Sequence, residues 1–335
     1  MLSGVNAMES LAPCLPAPLA AAGDGDARAA FGEFLRLRVA DGDASPATLR
    51  TYQSHVATFY AWCKAQGVNP AQATEGDLEA YRAALVAQGL ARDTVALKLA
   101  AVRRFFEAAT WRGLRADNPA AGLKAPRNRT SREERIKFLP AGYIARLLAT
   151  VPGDDPQALR DRALLILFAL HGPRVAELAD LDVDALDLTG EPATARVTGK
   201  GDKARTLYLV PTARAALAAW LAARAQLVLC DPDAVFVTLQ PNQAGEAGRR
   251  MTARSIRRRV DVALVAAGLK REGVSCHSLR HSFGTWSAAA GASVAAISAA
   301  MGHASIDTTG VYVKVADAMK QNPAAYLERW AGLAS

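Results

Sequence analysis

Apolar residues recur along this chain chiefly at helical spacing. A first helix is predicted from Ala27, with Phe31, Phe34 and Leu35 facing inward. Ser45-Pro46 pairs an N-cap with a proline at the first helical position and opens a second helix, which runs to Gly67. Its apolar face holds Leu49, Tyr52, Val56, Phe59, Tyr60 and Cys63. Thr74 caps a third helix ending near Gly89, and a fourth spans about Asp93 to Ala109 with Leu97, Val102, Phe105 and Phe106 inside. Four helices in so short a span predict a compact helical domain over 25–123.

After a break at 124–138, helices are predicted from Pro140 to about Thr150 and from Pro156 to Leu170, the second buried nearly all round. Alternation then replaces helical spacing. Arg196–Thr198 and Arg205–Leu209 flank Gly199-Lys200-Gly201-Asp202-Lys203, the signature of a β-hairpin, and a third strand is expected at Val235-Phe236-Val237. Thr252 caps a helix to about Ala267 with Ile256, Val260 and Leu264 inward. On the next helix, Leu279, Phe283, Trp286 and Ala290 form a buried stripe, while His277, Arg280, His281 and Gly284 share another face. Gly291 fits a C′ position, and Ser293 caps a short helix that ends at Gly302. A further helix, begun by Asp307 or Thr308, carries Tyr312. Pro323 ends or kinks it, leaving an apolar stripe of Tyr326, Leu327, Trp330 and Leu333 in a tail over 317–335. The fold class is mainly α with a small antiparallel sheet, and the second domain covers 139–316.

Composition narrows the partners. Lys and Arg exceed Asp and Glu to give a net charge of +8 over 335 residues, which suits a polyanion. Arg127 and Arg129 lie in a basic stretch, Lys124 to Lys137, that joins the two domains as a connector or as a strap across a phosphate backbone. Arg250, Arg254, Arg257 and Arg258 crowd the start of the helix after Thr252, and no acid occurs from Ala247 to Val260. A basic helix face of this kind fits the major groove or its phosphates. In the first domain Arg50, Lys98 and Arg103 are candidate phosphate contacts, with solvated surface as the plain alternative. Four scattered cysteines fit a reducing cytoplasm, and residues 1–24, rich in Pro, Ala and Gly, are expected to be disordered. The uncharged run Ser282 to Ile306 is too full of Ser, Ala and Gly for a membrane span, so no membrane partner is expected.

The chemistry concentrates between Cys276 and Val313. Guanidinium forks match phosphate oxygens, imidazoles donate to them or move protons, and a tyrosine hydroxyl can serve as a covalent nucleophile. His, Arg, His and Tyr without a carboxylate pair therefore point to phosphoryl transfer onto a tyrosine. A zinc site of Cys276, His277, His281 and His303 would lack a second cysteine pair in range, so no metal is expected.

His277-Ser-Leu-Arg280-His281, Met301-Gly302-His303 and Val311-Tyr312-Val313 resemble, in order and spacing, the second signature box of the tyrosine recombinases, the phage-integrase and Xer family. His171-Gly-Pro-Arg174-Val-Ala-Glu177-Leu178 resembles the first box, with His171 where the family usually has Thr. The resemblance covers roughly 27–316. It implies an N-terminal core-binding domain of the SAM-like type, a catalytic domain, and a C-shaped clamp around double-stranded DNA carrying specific recombination sites. Arg174, His277, Arg280, His303 and the nucleophile Tyr312 are implied as catalytic, with Glu177 in support. Lys200 is implied as the general acid on the hairpin, with Lys203 as its rival. His281 is left as structural, because the box uses only the first His and the Arg.

The implied activity is cutting and rejoining DNA through a 3′-phosphotyrosyl intermediate. No cofactor is required, because one phosphodiester is exchanged for another ester. Other copies of the chain, in a synaptic tetramer built partly by the tail, and a related recombinase or accessory protein are the implied protein partners, at the nucleoid. A type IB topoisomerase would share the chemistry but relax a plasmid that has no recombination site. A non-catalytic DNA-binding regulator would form no covalent complex.

Overall fold

The computed structural model describes residues 24–42, 44–127, 130–199, 201–241 and 245–321, with Ala324, Leu327 and Ala331. The expected disorder of 1–23 and most of the apolar tail stripe lie outside the described residues, as do Arg129 and Lys200. The chain divides into two compact units between residues 129 and 130.

The first unit holds α1 (Asp24–Arg38), α2 (Pro46–Gln66), α3 (Glu75–Ala87) and α4 (Arg92–Trp111). Local sequence sets their ends. Ser45 Oγ accepts from Thr48 N, Gly67 closes α2 at φ 68°, and Thr74 forms a reciprocal capping box with Asp77. Phe59, Tyr81, Phe105 and Phe106 pack as an aromatic centre with ring centroids 5.1–6.3 Å apart, and each buried ring contributes about 1.5–3 kcal/mol. Val102, Phe105 and Phe106 are buried as expected, but Leu97 is 58% exposed, and Val95 and Leu99 are buried instead.

The second unit begins with α5 (Arg132–Arg135), α6 (Tyr143–Leu148), α7 (Pro156–His171) and α8 (Val175–Ala179). β1 (Leu186–Asp187), β2 (Thr194–Thr198) and β3 (Ala204–Tyr208) make one antiparallel sheet in that order. The hairpin register pairs Ala195 with Leu207 and Val197 with Arg205. Val235–Val237 is not a strand of this sheet; among the described residues, its neighbourhood makes only isolated bridges, Asp182 to Ala234 and Val237 to Arg250. Its backbone instead serves buried side chains: Trp220 Nε1 donates to Val235 O at 2.8 Å and Arg160 to Val237 O.

Then come α9 (Pro211–Arg224), which the apolar pattern had not marked out, α10 (Ala253–Ala266), α11 (Cys276–Ala289), α12 (Val294–Met301) and α13 (Ile306–Lys320). α7 runs through the main core, with buried Leu164, Leu165, Leu167 and Phe168. A smaller apolar cluster of Ile297, Met301 and Tyr312 joins α12 to α13. On α11 the expected stripe is only partly realised. Leu279 is buried, Phe283 and Trp286 are half-buried, and Arg280 and Gly284 go inside. Among the described residues no helix is long and apolar enough to cross a membrane.

Candidate phosphoryl-transfer site

The site is assembled where three chain reversals meet. α7 ends at Gly172 in the left-handed region, and a Cβ there would lie 2.5 Å from the Phe283 ring. Arg174 follows as the residue preceding α8. Its backbone N–H donates to Glu177 Oε2 at 2.6 Å and its Nη1 to Oε1 at 2.9 Å. Glu177 is 1% exposed. Burial would raise its pKa, but hydrogen bonds and charge from Arg205 and Arg174 hold it below the usual carboxylate value.

Arg205 was not singled out from the sequence, and it is the strongest partner of that carboxylate. Its Nη1 and Nη2 reach the two oxygens at 2.5 and 2.8 Å. The signal was available in β3: Arg205, Leu207 and Leu209 alternate onto the inward face, so this arginine is aimed at the interior. Its Nε also donates to Ala300 O at 3.0 Å, tying the end of α12 to the sheet.

Arg280 enters from α11 and is 2% exposed. It donates to Gly172 O at 2.6 Å and to Met301 O at 2.5 Å, while Arg174 Nη2 donates to Gly302 O at 3.1 Å. Both guanidiniums therefore rest on consecutive carbonyls of the turn before His303. Burial and the nearby Arg174 lower the pKa of Arg280 to about 10, so it stays a cation at neutral pH.

His303 is fixed by Thr309 Oγ1, 2.7 Å from its Nδ1, and its ring stacks near Tyr312 with centroids 6.1 Å apart. Tyr312 is 4% exposed. Its ring lies against Gly284, where a Cβ would sit 2.8 Å from the tyrosine Cδ2. Its hydroxyl meets His281 Nδ1 at 2.9 Å. His281, read from the sequence as structural, thus touches the hydroxyl of Tyr312. His277 opens to solvent on the first turn of α11 and faces His281 with centroids 4.4 Å apart. Burial, reinforced by neighbouring cations, lowers all three histidines, His281 and His303 to about 4, so they are neutral at pH 7. Burial raises the Tyr312 pKa, and Arg280 and Arg174 oppose the rise.

The structure thus brings together Arg174, Glu177, His277, Arg280, His303 and Tyr312. The hairpin tip borders them: a Cβ on Gly199 would lie 3.1 Å from Glu177 Oε1 and 3.4 Å from Arg174 Nη1. Lys203 is exposed on that tip. Among the described residues no three His, Cys, Asp or Glu are placed to share a metal ion.

Two of the arginines proposed for phosphates are used inside their own units. Arg103 donates to Ala120 O and Leu123 O, and Arg250 binds Asp182, Asp231 and Ala179 O. Their guanidiniums satisfy buried or half-buried backbone and carboxylate oxygens of their own unit. Lys98 is half-buried, with its ammonium 3.1 Å from Thr58 Oγ1. Arg50, Arg127, Arg254, Arg257 and Arg258 are exposed.

Residues 137–319 match the model of the phage integrase family, and 32–113 match that of the phage integrase N-terminal SAM-like domain. The tyrosine recombinase XerC of Azotobacter vinelandii (strain DJ / ATCC BAA-1303) is 37% identical over 269 residues, covering 79% of this chain and 84% of that protein. The tyrosine recombinase XerD of Caulobacter vibrioides is 34% identical over 285 residues, covering 84% of this chain and 90% of that protein. Among solved structures, the XerH site-specific recombinase in a post-cleavage complex with a palindromic difH substrate superposes with a TM-score of 0.70 at 21% identity. That match covers 91% of this chain and 85% of that one, and at this identity it speaks for the fold.

Proposed function

Because this chain belongs to the phage integrase family and is a site-specific tyrosine recombinase, we propose that Tyr312 is its nucleophile and that Arg174 and Arg280 hold the scissile phosphate. The Tyr312 Oη–P bond forms as the P–O5′ bond breaks, which leaves a 3′-phosphotyrosyl link and a free 5′-hydroxyl. One observation carries the reading. Both arginines are anchored on the Met301–Gly302 carbonyls, beside the ring that stacks on Tyr312.

Each arginine keeps N–H donors beyond the two carbonyl or carboxylate bonds described, and a guanidinium fork fits non-bridging phosphate oxygens. His277 and His303 supplement them as neutral donors. Charge neutralisation matters here because a tyrosine with a pKa of about 10 is only about 0.1% phenolate at pH 7, a cost near 4 kcal/mol. Two fixed cations lower that cost by neutralising the negative charge on the non-bridging phosphate oxygens. Lys200, by its place in the Gly-Lys-Gly-x-Lys pattern, protonates the leaving 5′ oxygen. Ester is exchanged for ester, so the reaction needs no ATP.

The substrate is duplex DNA with specific recombination sites, contacted by the exposed arginines of α10 and by Arg50 and Arg127. Copies of the chain assemble on two such sites as a synaptic tetramer, which a native gel of one-site and two-site DNA would reveal as distinct complexes; a one-site ladder alone would count against it. The nucleophile is tested on a nicked suicide duplex built on a site selected from random DNA by binding. Wild-type protein should become covalently attached. Tyr312→Phe should bind with unchanged affinity and attach to nothing, and attachment by that variant would remove the assignment.

A further inference from the structure

Among the described residues, His281 is the one hydrogen-bond partner of the Tyr312 hydroxyl, at 2.9 Å. The first histidine of the box, His277, faces solvent and the His281 ring instead. We propose that His281, through Nδ1, is the base that removes the tyrosine proton, an inference that rests on Tyr312 as the nucleophile.

The chemistry fits the position. A neutral imidazole offers an in-plane lone pair, and with Nε2 carrying the hydrogen, Nδ1 is the acceptor toward a tyrosine O–H. The groups facing His281 are His277 and Arg280 on its own helix, His303 from the turn before α13, and Tyr312 from α13. Burial and these neighbours keep it unprotonated in the DNA-free protein. A bound phosphodiester adds a negative charge beside Arg280 and Arg174. That charge offsets the guanidinium field and strengthens the base when the nucleophile needs it.

The step balances. The O–H electron pair of Tyr312 becomes the new O–P bond, its proton moves to His281 Nδ1, and the P–O5′ pair leaves with the 5′ oxygen, which takes a proton from a separate acid. In resealing, the 5′-hydroxyl gives its proton to the conjugate base of that separate acid as it displaces the tyrosine, and the imidazolium returns the other proton to the tyrosine oxygen. One device thus serves both directions.

Single-turnover attachment to the suicide duplex tests this. His281→Ala should retain its melting temperature and site affinity but attach about 100-fold more slowly. Added imidazole should restore about tenfold or more of that rate, in proportion to its unprotonated fraction as pH is varied. His281→Gln keeps an acceptor oxygen but cannot accept the proton, and should stay slow. A 5′-bridging phosphorothiolate, which relieves the need for a leaving-group acid, should not rescue either variant. A wild-type rate in His281→Gln would show that the imidazole only holds the hydroxyl and would overturn the proposal. An absent imidazole response in a folded His281→Ala would do the same. If His281→Ala fails to fold, the Gln variant decides alone. Failure of wild-type protein to attach at all would instead overturn the Tyr312 reading.

Discussion

Arg205 and Glu177 form a two-point ion pair across 28 residues of chain, with contacts of 2.5 and 2.8 Å, and both side chains are largely out of solvent. Because the same carboxylate also positions Arg174, the pair links the sheet to the phosphate site.

Removing one partner of such a pair leaves the other buried and uncompensated. Arg205→Ala should therefore cost about 3–5 kcal/mol in denaturant unfolding and slow DNA attachment as Arg174 loses its brace. Arg205→Met with Glu177→Gln, which removes both charges, should recover much of the stability but not the rate. An Arg205→Ala variant as stable as wild type would show that the pair is weakly coupled.

Gly284 lets α11 and α13 approach, since a Cβ would press within 2.8 Å of the Tyr312 ring. Gly284→Ala should displace the nucleophile, at a cost of roughly 1–3 kcal/mol from overpacking. Attachment should fall far more than site affinity, which a gel-shift titration run beside the suicide assay would separate. Equal losses in both would point to general misfolding.

His171 is 7% exposed, and its Nε2 has no hydrogen-bond partner among the described residues. Burial lowers its pKa from 6.5 to about 4. Between these values the unfolded chain binds the proton and the folded chain does not, so stability falls as pH drops through that window. His171 alone accounts for a loss of on the order of 3 kcal/mol by pH 4, and His171→Thr should flatten that part of the curve. Urea melts at pH 7, 5.5 and 4 check it; parallel curves for the two proteins would contradict it.

Arg257 and Arg103 should separate binding from folding. Arg257 is exposed on α10, so Arg257→Ala should leave the melting temperature unchanged and reduce the salt slope of DNA binding by about one unit. Arg103 holds the carbonyls of Ala120 and Leu123, so Arg103→Ala should lower stability instead. Reversed effects would exchange the two roles.

How much of this was legible in the chain depended on the range of each signal. Ser45, Thr74 and Thr252 announce their helices because a cap acts within three residues. The spacing of His277, Arg280, His303 and Tyr312 was readable because the family pattern fixes it. Leu97 was misplaced because helical spacing alone allows two neighbouring faces of α4, and only packing against the other helices selects Val95 and Leu99. The partnership of Arg205 with Glu177, and that of His281 with Tyr312, depend on chain crossings that no local pattern encodes. Arg103 and Arg250 looked like surface charge for the same reason: their acceptors are backbone and carboxylate oxygens brought in by folding.

Arg280 and Arg174, the two arginines proposed to hold the phosphate, rest on the adjacent carbonyls of Met301 and Gly302, and Gly302 adopts φ 63° with Arg205 packed where a side chain would begin. A displacement of this turn would therefore disturb the anchors of both cations together. Cutting and resealing pass through the same transition state. A change in this turn should therefore slow both by one common factor and leave the ratio of nicked to sealed DNA where it was. A shifted ratio would show that the turn also changes the stability of the covalent complex relative to bound, intact DNA.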